Sequence, residues 1–330
     1  MLNWSINQIK LGLKYAWKIS RNTSDFKINS IITCNDEHHS GKGEAAPNIR
    51  YNETPEVLLN SFEEFLSAGA NEIKNAVDLS ILLNKINAPN ALRFGIEQAY
   101  IHFLCAQRNE SIYDFLKIDK PLKTNTCYTL PIMEPSSIIK FFSENNLNRF
   151  AYLKIKISVD GALDEIKTLS SIYKKPILID ANEAWKDPDA LINFMHNLNG
   201  LNIGMIEQPM HSSMVNEYKY VKPRVTLPLM ADESFCSQVD FKELKLQFDA
   251  VNMKLMKAGG YLNGLRLIYE AKKYGFKTMV GCMVETTLGM SGAYAFSGLC
   301  NLADLDGYML IENEPFKLLS EENGEVYLNQ

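Results

Sequence analysis

The chain has 330 residues, of which 46% are hydrophobic and 22% are charged, and its formal net charge at pH 7 is −5. This composition is enough for one large or two moderate folded domains with a substantial core. An acidic balance without any basic run disfavours nucleic acid or an anionic membrane as a partner, and no apolar run approaches the roughly 18 residues of a membrane span.

The cysteines and the N-terminus indicate the compartment. The N-terminal stretch MLNWSINQIKLGLKYAWK lacks a continuous apolar segment followed by a small-residue cleavage site, so no secretory signal is predicted. The cysteines are scattered without a C-x-x-C pair, at Cys34, Cys105, Cys127, Cys236, Cys282 and Cys300. Such scattering is typical of reduced cysteines, and we expect a cytoplasmic protein.

The first part of the chain predicts a small α+β unit. It begins with strand-like and turn-rich stretches, which read NWSINQIKLGL, DFKINSIITCN and GKGEAAPNIRYNETPE. Two stretches with apolar residues at helical spacing follow, EVLLNSFEEFLSAGA and PNALRFGIEQAYIHFLCAQR.

From about residue 125, short apolar strands alternate with helices. The strands read CYTLPIM, YLKIKIS, PILIDANEAW, GMIEQPM, PLMADESF, AVNMKLMKAGG, KTMVGCMVETT and DGYMLIE. This alternation predicts parallel strands joined by crossover helices. Eight strands in roughly 190 residues favour a barrel over an open doubly wound sheet. No G-x-G-x-x-G follows the first strand, so nothing supports a dinucleotide fold.

The stretch YLKIKIS places two lysines one residue apart in an apolar run. Because side chains alternate along a strand, Lys154 and Lys156 share one face, and an edge strand with solvated lysines is one interpretation. The other predicted strands also end in polar residues, at the edge that forms the active face of a barrel. These residues are Lys154, Lys156, Asp180, Asn182, Glu207, Asp232, Glu233, Lys254, Glu285, Asp304 and Asp306. Their recurrence favours lysines that point into the barrel.

The residue types at these strand ends suggest a metal site with two bases. Asp180, Glu207 and Asp232 on neighbouring strands form a hard oxygen site that suits Mg²⁺. Lys156 and Lys254 flank these carboxylates, and a nearby cation would lower the pKa of a buried lysine enough for the neutral amine to act as a base. Two such lysines can remove a proton from one face of a carbon and return it to the other, while the metal holds the enolate of a substrate carboxylate. The alternative is a purely structural cluster of ion pairs.

The motifs KIK, DANEAW, IEQP, ADES, NMKLMKAGG and GCMVETTLG resemble the enolase superfamily, in its muconate-lactonizing subgroup, over nearly the whole chain. The resemblance implies an α/β fold with a modified TIM barrel, (β/α)7β, over residues 121–312. It also implies an N-terminal α+β capping domain over residues 1–120, with residues 313–330 packing back on it. GKGEAAP matches a loop of that cap. Homo-oligomers are usual in the family, and we expect one here.

The resemblance also assigns roles by position. It implies that Asp180, Glu207 and Asp232 hold one Mg²⁺ per subunit, and that Lys156 and Lys254 are the acid/base pair. Four further residues have implied places: Asn182 and Glu233 orient the ligands and Lys254, Lys154 lies beside the substrate carboxylate, and Lys257 belongs to a loop or the surface.

The stretch ADLDGYMLI resembles the dipeptide epimerases, in which a D-x-D pair binds the ammonium group of the dipeptide. Asp304 and Asp306 would share a strand face, and paired carboxylates select a cation; a helix cap or an acidic turn is the alternative. Thr129, Cys282 and Met283 match positions that line the dipeptide site.

The second residue of the dipeptide is less constrained. Arg21 resembles the arginine of a mobile cap loop that meets the glutamate side chain in alanyl-glutamate epimerases, although Asp25 and Glu53 could make the lid neutral or acidic. We therefore predict an L-Ala-D/L-Xaa dipeptide epimerase, an isomerase, with L-Ala-D/L-Glu as default and broad tolerance open. A role in cell-wall peptide metabolism follows by analogy alone.

Three other functions remain open. A muconate cycloisomerase or an o-succinylbenzoate synthase would use the same fold, but their substrates carry no ammonium group for the D-x-D pair. A Schiff-base lyase would use one lysine as nucleophile, but the three carboxylates on neighbouring strands disfavour this reaction. A non-catalytic binding protein on this fold is the third.

Overall fold

A computed structural model of the chain describes residues 1–18 and 23–329. The N-terminal sheet has three antiparallel strands, β1 (Asn3–Lys18), β2 (Thr23–Asn35) and β3 (Ser40–Ala45). Four helices follow: α1 (Pro55–Ser67), α2 (Ala76–Lys85), α3 (Asn90–Arg108) and α4 (Ile112–Leu116). This is the predicted capping unit of strands followed by helices.

The second sheet has eight parallel strands, each hydrogen-bonded to the next in chain order. They are β5 (Thr129–Leu130), β6 (Leu153–Lys156), β7 (Ile177–Asp180), β8 (Ile203–Glu207), β9 (Leu229–Ala231), β10 (Ala250–Lys254), β11 (Lys277–Gly281) and β12 (Leu302–Ala303). The helices that follow these strands along the chain are α5 (Pro135–Glu144), α6 (Ala162–Ile172), α7 (Pro188–Asn197), α8 (Val215–Val221), α9 (Phe241–Lys245), α10 (Leu255–Ala258), α11 (Tyr261–Lys273) and α12 (Thr287–Ala295). The predicted α/β fold, a modified TIM barrel with an N-terminal capping domain, is therefore confirmed.

The prediction that DGYMLIE forms the eighth strand is wrong. The strand is β12, which pairs with β11 through Leu302 and Ala303, and a 3₁₀ helix over Gly307–Leu310 takes the place of the prediction. The N–H of Asp304 still donates to the backbone oxygen of Val280 at 2.8 Å, and beyond it the side chains of Asp304 and Asp306 accept hydrogen bonds from Cys127 and Thr129 at the start of the barrel.

A third sheet pairs the C-terminal hairpin with the entry to the barrel. It consists of β4 (Thr124–Asn125), β13 (Leu319–Glu322) and β14 (Glu325–Leu328). Arg149, before β6, adds an ion pair of 2.7 Å to Glu321 of the hairpin. The division into residues 1–120 with 313–330 and residues 121–312 stays a prediction. None of the helices in the described ranges is both long and apolar enough to span a membrane.

The motif GKGEAAP has its glycines where the capping helix α3 lies directly against β3. A Cβ atom on Gly41 would lie 2.1 Å from the carbonyl oxygen of Ala99, and one on Gly43 would lie 2.1 Å from that of Gly95. Both distances are far below van der Waals contact, so any side chain would push the helix off the strand.

Glu44 of the same motif docks the capping sheet onto the barrel. Its carboxylate is fully buried and accepts hydrogen bonds from the backbone N–H groups of Thr286 and Gly289 at the start of α12. It also accepts one from Asn29 Nδ2 at 2.7 Å, within the cap. A carboxylate is favourable at a helix N-terminus, where backbone N–H groups lack partners.

Replacing Glu44 with alanine should lower the free energy of unfolding by about 3 kcal/mol, because buried donors lose their acceptor. Urea denaturation followed by circular dichroism measures this loss. Glu37→Ala, at an exposed turn between β2 and β3, is the matched control and should change stability by less than about 0.5 kcal/mol. A similarly small effect for Glu44→Ala would contradict the docking role.

Candidate active site

The barrel interior is built in two layers, apolar below and charged above. The lower layer is a buried cluster that includes Tyr152, Leu178, Met205, Met230, Ala250 and Met279. Because inward-facing residues recur every second position along a strand, Leu178 is followed inward by Asp180, Met205 by Glu207 and so on around the sheet. The polar strand ends therefore converge above an apolar floor.

The strand β6 carries the two lysines of YLKIKIS into this layer. It lies between β5 and β7, so it is an interior strand, and the solvated edge interpretation is wrong. Lys154 is 2% exposed, and its ammonium lies 2.7 Å from Glu207 Oε2 and 2.8 Å from Asp304 Oδ2. Lys156 Nζ donates to Asp180 Oδ2 at 2.7 Å and to Asn182 Oδ1 at 2.8 Å.

The three predicted metal ligands are all buried at the same level. Backbone pairing places Lys156 beside Asp180, and Asp180 beside Glu207. Burial raises the pKa of Glu207 to about 7, although Lys154 opposes this. Burial would also raise the pKa of Asp180, but the ammonium groups of Lys154 and Lys156 hold it well below its usual range. Asp232 follows β9 and is 3% exposed.

Lys254 lies on the other side of the carboxylates and donates to Asp232 Oδ2 at 2.8 Å. Burial alone would lower its pKa, yet the neighbouring carboxylates of Asp232 and Glu207 raise the pKa above its ordinary value. The lowered lysine pKa predicted from the sequence is therefore not produced by the protein's own groups. It would require an added cation that neutralises these carboxylates.

Lys257 corrects another expectation, because it is neither in a surface loop nor exposed. It lies in α10, is 2% exposed, and its ammonium contacts both the backbone oxygen and Oδ1 of Asp232. The short helix turns the lysine back toward β10, where its ammonium also donates to the backbone oxygen of Asn252 at 3.1 Å. This buried ion pair neutralises and orients one predicted ligand.

Two other residues that sequence reasoning missed hold the carboxylates in place. Asn252 Nδ2 donates to Glu207 Oε1 at 2.8 Å, and Gln208 Oε1 accepts from the backbone N–H of Asp232 at 2.9 Å. Strand alternation could have found Asn252, which is two residues before Lys254. Gln208 was within the motif IEQP, but its left-handed backbone, with φ of +36°, aims it at the next strand.

The donor set fits a hard divalent cation. Three buried carboxylates on adjacent strands supply oxygen ligands, and Glu207 Oε2 accepts no well-aligned hydrogen bond from the described residues, although Lys154 lies beside it. In the described ranges, the one group of acidic or thiol atoms all within 4.8 Å of one another is Cys127, Asp304 and Asp306. The carboxylate oxygens of Asp180, Glu207 and Asp232 are therefore spread more widely than this group. The ammonium groups of Lys154 and Lys254 lie beside them.

Asp304 and Asp306 close the barrel between its first and last strands. Cys127 Sγ donates to Asp304 Oδ1 at 3.1 Å, and the backbone N–H of Thr129 donates to Asp306 Oδ2 at 2.5 Å. Both aspartates are 4% exposed. Burial, and then the charge of Asp304, raises the pKa of Asp306 to about 7. The two aspartates directly follow β12 and lie beside Thr129, with Lys154 in contact.

The segment with Cys282 and Met283 lies against this pair. A Cβ atom on Gly307 would lie 2.2 Å from the backbone oxygen of Met283 and 3.1 Å from Cys282 Sγ, so the close approach requires glycine there. The capping domain meets the same segment, because Asn29 Nδ2 donates to the backbone oxygen of Val284 at 3.0 Å.

The cap also contacts the barrel through a loop that runs over the charged layer. Arg50 forms a bidentate pair with Glu183, whose side chain is 3% exposed, with both distances 2.8 Å. Glu183 directly follows Asn182, the partner of Lys156, and both have left-handed backbones. The hydrogen bond to Glu183 raises the pKa of Arg50, and the charge of Glu233, which is buried and predicted to orient Lys254, adds to this rise. Arg21 lies outside the described residues.

Together the two units enclose a cavity of about 440 Å³. Its floor contains Thr129, Lys154, Lys156, Asp180, Asn182, Asp232, Glu233, Lys254, Cys282, Met283, Asp304 and Asp306, and its roof contains Lys27, Asn29, Ile49, Tyr51 and Glu53 of the cap. The cavity therefore brings together the predicted bases, two of the three ligands and the aspartate pair. Glu207 lies just beneath it, in contact with Lys154.

Comparison with known proteins gives consistent matches over the whole chain. A family model described as enolase C-terminal domain-like matches residues 142–325. An L-Ala-D/L-Glu epimerase of Bacteroides thetaiotaomicron is 30% identical over 324 residues, which are 97% of this chain and 84% of the relative.

Two solved structures extend the match to three dimensions. An enolase family member from Agrobacterium tumefaciens with homology to dipeptide epimerases, bound to sodium and L-Ala-L-Glu, is 26% identical with a TM-score of 0.91, covering 100% of this chain and 98% of its own. A dipeptide epimerase from Enterococcus faecalis in complex with Mg and L-Leu-L-Tyr is 25% identical with a TM-score of 0.87, covering 99% and 96%.

Glu53 in the cavity roof makes stability depend on pH. Its carboxylate is 5% exposed and accepts from the backbone N–H of Ala91, and burial raises its pKa to about 7. Since this is above the unfolded value of about 4.3, the folded state keeps a proton that the unfolded chain releases. The free energy of unfolding should therefore fall as pH rises from about 4 to 7.

Glu53→Gln keeps an oxygen acceptor and removes the titration. Between pH 5 and pH 8 the free energy of unfolding should fall in both proteins, but by about 1 to 3 kcal/mol less in the variant than in the native chain. Urea denaturation at both pH values measures the two decreases. Glu63→Gln, exposed on α1, should leave the native pH dependence unchanged. If Glu53→Gln also leaves it unchanged, Glu53 does not carry this proton.

Proposed function

This chain belongs to the enolase C-terminal domain-like family, and from that membership we propose that it is a Mg²⁺-dependent dipeptide epimerase. The reaction is the inversion of the α-carbon of the dipeptide's C-terminal residue. The observation that carries the proposal is the joint presence, in one cavity, of two lysines on opposite sides of a carboxylate cluster and of a paired-aspartate site.

Asp180, Glu207 and Asp232 would hold one Mg²⁺ per subunit. The metal would supply positive charge that stabilises the negative charge developing on the substrate carboxylate. Asn252 orients Glu207, and Gln208 and Lys257 orient Asp232. The backbone N–H of Asn182 donates to Asp180 Oδ1. The carboxylates of Asp232 and Glu207 raise the pKa of Lys254, and a cation held between them would offset this effect and favour a neutral amine at Lys254 Nζ.

Lys156 and Lys254 would move the proton. The neutral amine Nζ of one lysine removes the α-proton from one face of the carbon, and the ammonium Nζ of the other delivers a proton to the opposite face. Exchange with solvent restores both lysines for the next turnover, and the roles are reversed for the other enantiomer. Lys154, between the carboxylates, is placed to donate to the substrate carboxylate.

Asp304 and Asp306 would select the ammonium group of the dipeptide N-terminus. Both are buried. Cys127 Sγ donates to Asp304 Oδ1, and the backbone N–H of Thr129 donates to Asp306 Oδ2, so that each carboxylate is held in a fixed orientation. A buried carboxylate pair strongly favours a cation, because isolated negative charge in a low dielectric is costly. Cycloisomerase and synthase substrates lack this cation, which makes those reactions the weaker proposals.

The second residue of the substrate differs among the similar proteins. The Bacteroides relative is named for L-Ala-D/L-Glu, and the Enterococcus structure contains L-Leu-L-Tyr. We take L-Ala-D/L-Glu as the first substrate to test, with Thr129, Cys282 and Met283 lining the site. The role of Arg21, the cytoplasmic location and the homo-oligomer stay predictions from the sequence.

Incubation with Mg²⁺ and L-Ala-L-Xaa dipeptides in D₂O should introduce deuterium at the α-carbon of the C-terminal residue, as followed by mass spectrometry. Chelation of Mg²⁺ should stop the exchange. Lys156→Ala and Lys254→Ala should each reduce epimerisation by about 10²- to 10⁴-fold, whereas Lys140→Ala, exposed on α5, should not. The absence of exchange with every dipeptide would exclude the proposed function.

Asp306→Asn keeps an oxygen acceptor for Thr129 N–H and removes one negative charge. We expect kcat/KM for L-Ala-L-Glu to fall about 10- to 100-fold, and that for the N-acetylated dipeptide, which has no ammonium group, to change far less. Steady-state kinetics on both substrates measures the difference. Equal losses would show that Asp306 serves only to close the barrel.

A further inference from the structure

We propose that Lys27 of the capping sheet selects an acidic side chain on the dipeptide's second residue. This inference rests on the proposed function and deepens it, by naming the substrate class. Lys27 lies in β2, within the described residues, and is a different residue from Arg21, which lies outside them.

The face of the cap sheet that carries Lys27 points toward the barrel. Lys27 pairs with Leu11, which is 3% exposed, and it shares its strand face with Asn29, whose side chain bonds to the backbone of Val284 in the barrel. Phe26, on the opposite strand face and 40% exposed, also lines the cavity, and the ammonium of Lys10 lies 4.4 Å from its ring. Lys27 therefore extends into the space between cap and barrel, where it lines the cavity.

Lys27 differs from the other lysines of this cavity in having no anionic partner among the described residues. Lys154, Lys156 and Lys254 each have a carboxylate oxygen within 2.8 Å. Lys27 is half-buried and forms no ion pair with any described residue, and burial alone lowers its pKa. A partly desolvated cation without a partner is unfavourable in the free protein, and becomes favourable when a ligand brings an anion to it.

The other charged residues of the cavity indicate which anionic group of a bound dipeptide would pair with Lys27. The ammonium group of a dipeptide is matched by Asp304 and Asp306, and its terminal carboxylate by the cationic floor around Lys154. The remaining anion on a dipeptide is a side-chain carboxylate. Lys27 is the one cation among the cap residues described as lining the roof, and the roof's carboxylate, Glu53, is occupied by backbone N–H donors.

The test compares two dipeptides that differ in charge and hardly in shape, L-Ala-L-Glu and L-Ala-L-Gln. With Mg²⁺-loaded native protein we expect kcat/KM to be higher for L-Ala-L-Glu by about 10- to 100-fold, the range of one charge-assisted hydrogen bond. Lys27→Met should bring this ratio close to one, mainly through KM for L-Ala-L-Glu. Lys27→Arg should keep the preference, and Lys27→Glu should move it toward L-Ala-L-Lys.

Lys42→Met, exposed on β3 of the same sheet and outside the cavity lining, is the matched control and should leave the ratio as in the native protein. A native ratio near one, or an unchanged ratio in Lys27→Met, would overturn the role of Lys27 while epimerisation itself persists. Failure of native protein to exchange deuterium into either dipeptide would instead overturn the proposed function, and the assignment of Lys27 with it.

Discussion

The neutralisation of buried charge in the mouth of the barrel is the constraint on which the rest of the structure depends. Four lysines and five carboxylates meet there: Lys154, Lys156, Lys254, Lys257, Asp180, Glu207, Asp232, Asp304 and Asp306. Each buried charge costs several kcal/mol unless it has a close partner of opposite sign. The strand register must therefore bring the charges together, as it does for Lys156 beside Asp180 and Asp180 beside Glu207. The carboxylates outnumber the lysines, which is why the site suits added cations.

The same groups have structural and chemical roles at once. Asp304 and Asp306 join the eighth strand to the start of the first through Cys127 and Thr129, where the described residues share no backbone ladder between β5 and β12. Closing the barrel thereby fixes the position of the carboxylates that would bind an ammonium group. Below them, the apolar layer of Leu178 and its neighbours excludes water and keeps the local dielectric low, which strengthens every charge interaction above it.

The capping domain separates substrate selection from chemistry. The barrel provides the floor of the cavity, and the cap provides the roof through side chains that are free to vary without disturbing the bases. Glu44 and Arg50 fasten the cap to the segments after β11 and β7, so that the roof is held at a defined height above the lysines. Lys27 is then in a position to read the side chain of a bound dipeptide.

The sequence by itself determined the strand-helix alternation, the α/β barrel with its cap, and the polar strand ends, because the period-two pattern and the motifs DANEAW, IEQP and NMKLMKAGG are local. Only the tertiary structure decided that Lys257 turns back onto Asp232, that Gln208 reaches the next strand, and that DGYMLIE is a 3₁₀ helix beyond a short strand. These depend on contacts between residues distant in the chain or on backbone angles that local propensity does not set. The inward direction of Lys27 belongs with them, because it follows from how the cap sheet docks on the barrel.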